Sequence, residues 1–141
     1  MKSSVKLGIF LVVIGFAIFG YAEVRGADWK YLSETSLGTL FYDVESITRP
    51  AKNIVRVWSK LVYSEKGRNY MVEKFGSHHE NKEYTFDLWE FNCSDKMIRP
   101  LSSIAYSKNG EVLESFNYDV SKWDFLPPGS IKEMLSKAVC K

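Results

Sequence analysis

The sequence predicts an α+β fold, an antiparallel β-sheet of about six strands with one C-terminal helix packed on a face and tied by a disulfide. Three observations predict it. Short segments alternate apolar and polar side chains, which is the period of a half-buried strand. The end of the chain repeats apolar side chains at helical spacing, and the chain carries two cysteines, Cys93 and Cys140. Apolar (45%) and charged (26%) fractions are those of a folded domain and exclude a disordered or fibrous chain.

The first 22 residues have the pattern of a signal peptide. Lys2 and Lys6 precede an uncharged stretch over residues 7–22 that ends in Gly-Tyr-Ala. This stretch has 16 residues, fewer than the about 18 of a membrane-spanning helix, which favours cleavage over retention as an anchor. We therefore expect export across an inner membrane to the periplasm, cell surface or medium, and one domain over residues 23–141 without a membrane span.

The charge of the exported part argues against nucleic-acid binding. After residue 22 the sequence contains 17 basic and 17 acidic side chains, so its formal net charge is zero. Nucleic-acid binding requires lysine and arginine side chains clustered on one face. We therefore expect no nucleic acid among its partners.

Six segments are predicted as strands because their side chains alternate or are rich in aromatic residues. In chain order they are residues 29–32, 40–42, 54–63, 84–93, 99–106 and 112–118.

Turn and loop signals separate these strands. Residues 64–82 carry many charges and two glycines, which predicts an exposed, mobile loop. Asn109-Gly110 between two strands predicts a hairpin with a type I′ turn. Pro127-Pro128-Gly129 ends the extended structure, because proline cannot donate to a strand ladder.

A helix is predicted to follow the prolines. Ser130 and Glu133 form a capping box, in which each side chain accepts a backbone hydrogen bond at the start of a helix. Apolar residues then recur on one face at helical spacing, at Ile131, Met134, Leu135 and Ala138. This face is expected to pack on the sheet.

The two cysteines predict a disulfide. Cys93 and Cys140 both lie in the exported part, and paired thiols are usual in an oxidising compartment. A redox function is disfavoured because the cysteines are not spaced as Cys-x-x-Cys. The bond is expected to hold the helix on the sheet.

No catalytic, cofactor or metal site is predicted. His78, His79, Glu80 and Glu83 offer four potential ligands, but adjacent side chains diverge in an extended loop, so metal binding is not expected. The sequence has no nucleophile elbow and no glycine-rich phosphate loop. Carboxylates on the strands are assigned to solvated faces: Asp43, Glu45, Asp87 and Glu90. We expect a protein that is not an enzyme.

Two tryptophans are candidate partner-binding residues. Trp58 alternates with Val55 and Val57, and Trp89 alternates with Leu88, so one sheet surface is expected to carry both rings outside the helix-covered core. Tryptophan is a favoured anchor of protein interfaces. The alternatives are that loops bury these rings, as is common for large aromatics, or that the protein forms a homodimer through this face or a strand edge.

Several short motifs occur in a distinctive order along the chain. They are Trp29-Lys30, Phe41-Tyr42-Asp43, Ser46-Ile47, residues 55–60, Phe91-Asn92-Cys93, Tyr106, Asn109-Gly110, Trp123, residues 127–130, Glu133 and Val139-Cys140. Together these motifs resemble the surface-adhesin protein E family of Gram-negative bacteria. The resemblance implies an antiparallel sheet with a C-terminal helix fixed by a disulfide. It also implies a surface protein, and the best-known member of the family binds host extracellular proteins.

Two classes of function remain after this reading. The first is an exported, non-enzymatic, adhesin-like protein that recognises another protein at the cell surface or in the envelope. The second is a structural or accessory envelope protein that self-assembles or joins a larger complex without binding a host ligand. Accessibility to protease on intact cells distinguishes them.

Overall fold

One antiparallel sheet organises the computed structural model, which describes residues 26–119 and 122–141. Its strands are β1 (Trp29–Glu34), β2 (Gly38–Asp43), β3 (Thr48–Ala51), β4 (Ile54–Tyr63), β5 (Tyr84–Asn92), β6 (Met97–Tyr106), β7 (Val112–Asn117) and β8 (Asp124–Phe125). The order of the long strands is β1-β2-β4-β5-β6-β7, while β3 pairs with the remaining part of β4 and β8 with the remaining part of β6. The expected signal peptide lies outside the described residues.

The antiparallel sheet confirms the predicted fold class, but about six strands is too few. The described residues form eight strands, and β3 and β8 are the two that alternation did not predict. All four residues of β3 are exposed and include a proline, so no apolar face marks it in the sequence. The strand β8 has two residues, too few to display any alternation.

The prediction of an exposed, mobile loop over residues 64–82 is wrong, because most of this segment is helical. Helix α1 (Glu65–Phe75) is followed by a 3₁₀ turn (Ser77–His79). The Ser64 hydroxyl caps α1 by accepting the Gly67 N–H at 2.9 Å. Gly67 lies so close to Leu37 that a β-carbon there would meet its carbonyl oxygen at 2.0 Å. Glycine therefore marks a close packing contact here and not a flexible segment.

The hairpin between β6 and β7 is confirmed, but the type I′ turn is wrong. Gly110 alone has a positive φ (82°) in this turn, whereas a type I′ turn needs two such residues. The Gly110 N–H donates to the Ser107 carbonyl at 3.0 Å, and the Ser107 N–H donates to the Glu111 carbonyl at 2.9 Å. Residues 108–110 therefore form a three-residue loop between Ser107 and Glu111, one residue longer than a type I′ turn, and the β6–β7 register shifts next to it.

The C-terminal helix α2 (Ile131–Val139) packs on one side of the sheet and completes the core. The Ser130 hydroxyl accepts the Glu133 N–H at 3.1 Å, which confirms one half of the predicted capping box. The Glu133 carboxylate accepts the N–H of Gly129 at 3.3 Å, because the Ser130 N–H donates to the Pro127 carbonyl. The buried apolar side chains of the core are Val55, Val57, Phe91, Ile98, Leu126, Leu135 and Val139. Met134, which the sequence places in the apolar stripe, is 45% exposed and lies outside this core. We call the side of the sheet that α2 covers the helix face.

Cys93 at the end of β5 and Cys140 at the end of α2 form the predicted disulfide. Their α-carbons are 5.7 Å apart, and the bond joins positions separated by 47 residues. Both cysteines pack against the core.

Within the described residues no helix is both long enough and apolar enough to cross a membrane.

A buried carboxylate joins the three central strands on the other side of the sheet. The Glu90 side chain on β5 is 3% exposed and accepts hydrogen bonds from Arg56 on β4 at 2.7 Å and from Arg99 on β6 at 2.6 Å. Burial would raise the pKa of Glu90, but the two guanidinium groups outweigh burial and lower this pKa below its usual value. The ionised carboxylate is therefore the form that the fold stabilises.

Removal of the disulfide is expected to destabilise the fold without changing its topology. Cys140→Ala should lower the free energy of unfolding by about 2 to 5 kcal/mol, because the unfolded chain regains the freedom of a long loop. Urea unfolding followed by circular dichroism measures this loss, and reduction of the wild-type protein should produce a similar one. A loss below about 0.5 kcal/mol would show that packing alone holds α2.

Neutralising the buried carboxylate should remove a pH-dependent part of the stability. Glu90→Gln should lower the free energy of unfolding by about 2 kcal/mol at neutral pH, because two charge-assisted interactions are weakened. The folded-state pKa is lowered, so this stabilisation is present above the usual glutamate pKa and is lost as the pH falls through the lowered value. Urea unfolding at neutral and acidic pH should therefore show the two proteins converging in acid.

Glu45→Gln is the matched control for this experiment, because Glu45 is exposed. Its effect should stay within about 0.5 kcal/mol at either pH. Equal stability of wild type and Glu90→Gln at neutral pH would contradict the assigned contribution of the Glu90 carboxylate.

Candidate functional site

The two candidate tryptophans lie on opposite faces of the sheet. Trp58 on β4 pairs in register with Leu88, whereas Trp89 pairs with Val57, one of the core residues of the helix face. The expectation that one surface carries both rings is therefore wrong. Their roles in partner binding stay predictions, and they concern two separate surfaces.

Trp89 belongs to the helix face, where it packs against the core. Its indole Nε1–H donates to the Ser59 hydroxyl at 2.9 Å, which fixes the orientation of the ring. The Lys132 ammonium of α2 lies 5.1 Å from the centre of the ring. Trp89 is thus held between strand and helix instead of projecting as a free anchor.

Trp58 belongs to the other surface, which we call the open face. Along each strand, successive side chains point alternately to the helix face and to the open face. The open face comprises Trp29, Tyr31, Phe41, Trp58, Lys60, Tyr84, Phe86, Leu88, Ile104 and Tyr106. None of these residues is fully buried.

Aromatic rings of the open face stack on one another. Trp29 lies parallel to Phe86 with ring centres 5.3 Å apart, although β2 and β4 separate the strands that carry them. Tyr106 stacks on Tyr84 at 5.1 Å and meets Phe86 edge-on at 5.4 Å. These distances are typical of favourable aromatic pairs. The rings therefore form one continuous apolar surface that their mutual contacts hold in place.

The Lys60 ammonium lies among these rings. Its Nζ atom is 4.8 Å from the centre of Tyr84, 5.7 Å from Phe86 and 5.8 Å from Trp29. These distances are within the range of cation–π attraction. The aromatic surface thus carries a positive charge at its centre.

On the three central strands, the open face has more positive than negative side chains. Arg56, Lys60 and Arg99 are cationic, whereas Glu90 is the acidic side chain among them and is buried beneath its two arginines. Trp123 covers the Arg99 guanidinium with its ring 4.4 Å away. This part of the surface is therefore aromatic and positively charged.

The histidine pair of the sequence does not form a metal site with its neighbours. The rings of His78 and His79 are 4.0 Å apart, while Glu83 pairs with Arg68 at 3.3 Å and Glu80 is exposed. Within the described residues, no group of three or more histidine, cysteine or acidic side chains is arranged to hold a metal ion.

His79 is buried beside a buried lysine, and the exposed-loop prediction missed both side chains. Lys82 is also buried, and its Nζ atom pairs with Glu114 at 2.7 Å. Burial, with the charges of Lys82 and His78, lowers the pKa of His79, so its neutral form is favoured. The hydrogen bond from Lys82 lowers the pKa of Glu114. This cluster fixes the segment after α1 to β7.

The assignment of the four strand carboxylates to solvated faces is wrong for two of them. Asp43 is buried and accepts backbone N–H groups of Asp28 at 2.9 Å and Glu45 at 3.0 Å. Glu90 is buried in its arginine pair. Glu45 is exposed, and Asp87 is half-buried on the helix face. Each buried carboxylate has its structural partners nearby.

Sequence reasoning missed most of the open face because it requires the register between strands. Alternation alone groups Tyr84, Phe86 and Leu88 on one side of their strand. It cannot show that this side faces the same way as Trp58 and Lys60, which only the β4–β5 register determines. The shared spacing of Trp58 and Lys60 was the available signal.

The chain is similar to known members of one protein family. A family model described as "Surface-adhesin protein E" matches residues 29–141. A structure of Haemophilus influenzae protein E superimposes with a TM-score of 0.50 at 16% identity, covering 83% of this chain and 86% of that one. The selenomethionine form of that protein gives a TM-score of 0.50 at 15% identity, covering 82% and 90% of the two chains. No curated protein sequence matches.

At these identities the structural likeness concerns the fold. The family model, by contrast, spans all of the described sheet and the C-terminal helix. The resemblance inferred from short motifs is thereby confirmed. This chain belongs to the surface-adhesin protein E family.

Proposed function

We propose that this protein is an exported, non-enzymatic, adhesin-like protein that binds another protein through its open face. The observation that carries the proposal is the continuous surface of half-buried aromatic rings on the side of the sheet opposite α2. Large exposed apolar surfaces are uncommon on monomeric proteins and usually mark interaction sites. Membership in the surface-adhesin protein E family supports the same reading.

The composition of the open face suits a protein partner. Tryptophan and tyrosine side chains bury much area and lose little conformational freedom when they bind, which makes them frequent binding hot spots. Trp58 lies centrally, between the stacked rings around Lys60 and the arginines around Glu90. It is therefore the side chain we expect to contribute most to binding.

The partner surface is expected to combine apolar side chains with carboxylates. Lys60, Arg56 and Arg99 are all cationic and remain partly accessible. Opposite charges across an interface accelerate association and select the correct partner. A partner with an acidic, apolar patch therefore complements the open face.

The second candidate function is a structural or accessory protein of the envelope that assembles with itself. Strand β7 lies at one end of the sheet and exposes Val112 (58%) and Phe116 (56%). Unpaired strand edges with apolar side chains can pair with another chain. This alternative predicts contacts of the β7 edge between copies, with no role for the open face.

Crosslinking on intact cells distinguishes the two candidates. A photo-activatable phenylalanine analogue would replace Tyr31 on the open face, or Met134 on α2 as the matched control, since both side chains are exposed. The proposal predicts a crosslink to a different protein from Tyr31 and not from Met134, together with cleavage of the protein by external protease. The absence of any crosslink from Tyr31 to a different protein, or complete protection from protease, would contradict the proposal and favour the envelope alternative.

Shortening the central tryptophan should weaken binding more than folding. With the crosslinked partner purified, Trp58→Ala should weaken its binding by more than about 1 kcal/mol, because an interface anchor is lost. Surface plasmon resonance measures binding, and thermal unfolding monitors the fold. Met134→Ala, an exposed apolar change on the other side of the sheet, is expected to leave binding unchanged.

A different result would exclude this role for Trp58. If Trp58 instead belongs mainly to the packed structure, its removal should cost about 3 to 5 kcal/mol of stability. If Trp58→Ala is destabilised but its folded fraction binds the partner with unchanged affinity, the assignment of Trp58 to the interface is contradicted.

A further inference from the structure

A cavity lies on the helix face, between α2 and the turn that joins β1 to β2. Its volume is about 330 Å³, within the range of small-molecule sites. The apolar side chains that line it are Leu37, Leu40, Leu61, Trp89, Ile131 and Leu135. This composition suits the apolar body of a small organic molecule.

One wall of the cavity carries a carboxyl group. Asp87 is half-buried on the central strand β5, and within the described part of the chain it belongs to no ion pair. Burial raises the pKa of Asp87, although Ser103, Lys132 and Lys82 act in the opposite direction. A carboxylate removed from water in this way gains from a cation that reaches it directly.

A cation already lies against the aromatic wall. The Lys132 ammonium is 5.1 Å from the centre of the Trp89 ring, whose indole N–H is anchored to Ser59. Lys132 lies on the first turn of α2 and is exposed. Its side chain can therefore turn into water, whereas Asp87 and Trp89 are fixed on a strand that has neighbours on both sides.

We propose that this cavity binds a small organic cation with an apolar body, such as an arylalkylamine. The ammonium group of the ligand meets the Asp87 carboxylate beside the Trp89 ring, in the region that the Lys132 ammonium now occupies. The apolar body packs between Leu40 and Leu61 of the sheet and Ile131 of α2. The site lies on the face opposite Trp58, so it is independent of the proposed protein-binding surface.

Three probes with the same phenylpropyl skeleton test the charge preference: phenylpropylammonium, phenylpropanol and phenylpropionate. Binding is followed in the full exported domain by the indole N–H resonance of Trp89, assigned by its absence in Trp89→Phe. The ammonium compound should bind about tenfold more tightly than the alcohol, because it adds a charge-assisted hydrogen bond, and the carboxylate should bind most weakly.

Two variants change the preference in opposite directions. Asp87→Asn keeps the shape of the side chain and should remove the advantage of the ammonium probe over the alcohol. Lys132→Gln removes the competing cation and should strengthen binding of the ammonium probe. Glu73→Gln is the matched control, since Glu73 is an exposed carboxylate on α1 outside this cavity, and it should change nothing.

Three results would overturn the proposal. They are the absence of any shift of the Trp89 resonance with the ammonium probe, equal binding of the three probes, or tightest binding of phenylpropionate, which would make Lys132 the recognising group. Thermal unfolding confirms that each variant is folded. If Asp87→Asn fails to fold, Lys132→Gln tests the proposal by itself. Weaker binding of the ammonium probe to Lys132→Gln would contradict the proposal that the ligand replaces the Lys132 ammonium.

Discussion

The attachment of α2 to a single face of the sheet determines how the rest of the molecule is organised. A helix of nine residues is marginal by itself in water, so its stability depends on the apolar core beneath it and on the Cys93–Cys140 bond. Because α2 covers one face, Val55, Val57 and Phe91 are fully buried there. The side chains that alternate with them face outward and form a surface that α2 does not cover. Core and candidate interaction surface are thus two sides of the same strands.

The open face compensates for its lack of a covering helix through contacts among its own side chains. Stacked rings bury part of one another, and the Lys60 ammonium lies over them. At the other end of the central strands, Glu90 binds two arginines and thereby connects β4, β5 and β6. This arrangement orders the side chains before any partner arrives. An ordered surface loses less conformational entropy when it binds, which favours affinity for a given contact area.

Local sequence signals predicted those parts of the structure that depend on neighbouring residues. The Ser130–Glu133 cap and the alternation of Val55 and Val57 each depend on residues only a few positions apart. The chain has two cysteines, so only one disulfide pairing was possible. Prediction failed where tertiary contacts decide. Gly67 reads as a loop residue until its close approach to Leu37 is known, and the faces of Trp58 and Trp89 depend on the β4–β5 register. The cavity beside Asp87 likewise needs α2 in place on the sheet, and no residue pattern in the sequence marks it.

The alternation of the two faces along β4 and β5 has a consequence for how such a protein diverges during evolution. Neighbouring residues of these strands have different roles, since Val57 contributes to the core while Trp58 faces outward. A substitution at an outward position alters the surface and leaves the core packing in place, so recognition and folding can change at separate rates. Two chains can then retain the same sheet, helix and disulfide while presenting unrelated surfaces to their surroundings. Binding preferences in such a family are accordingly a property of the individual chain and not of the shared fold.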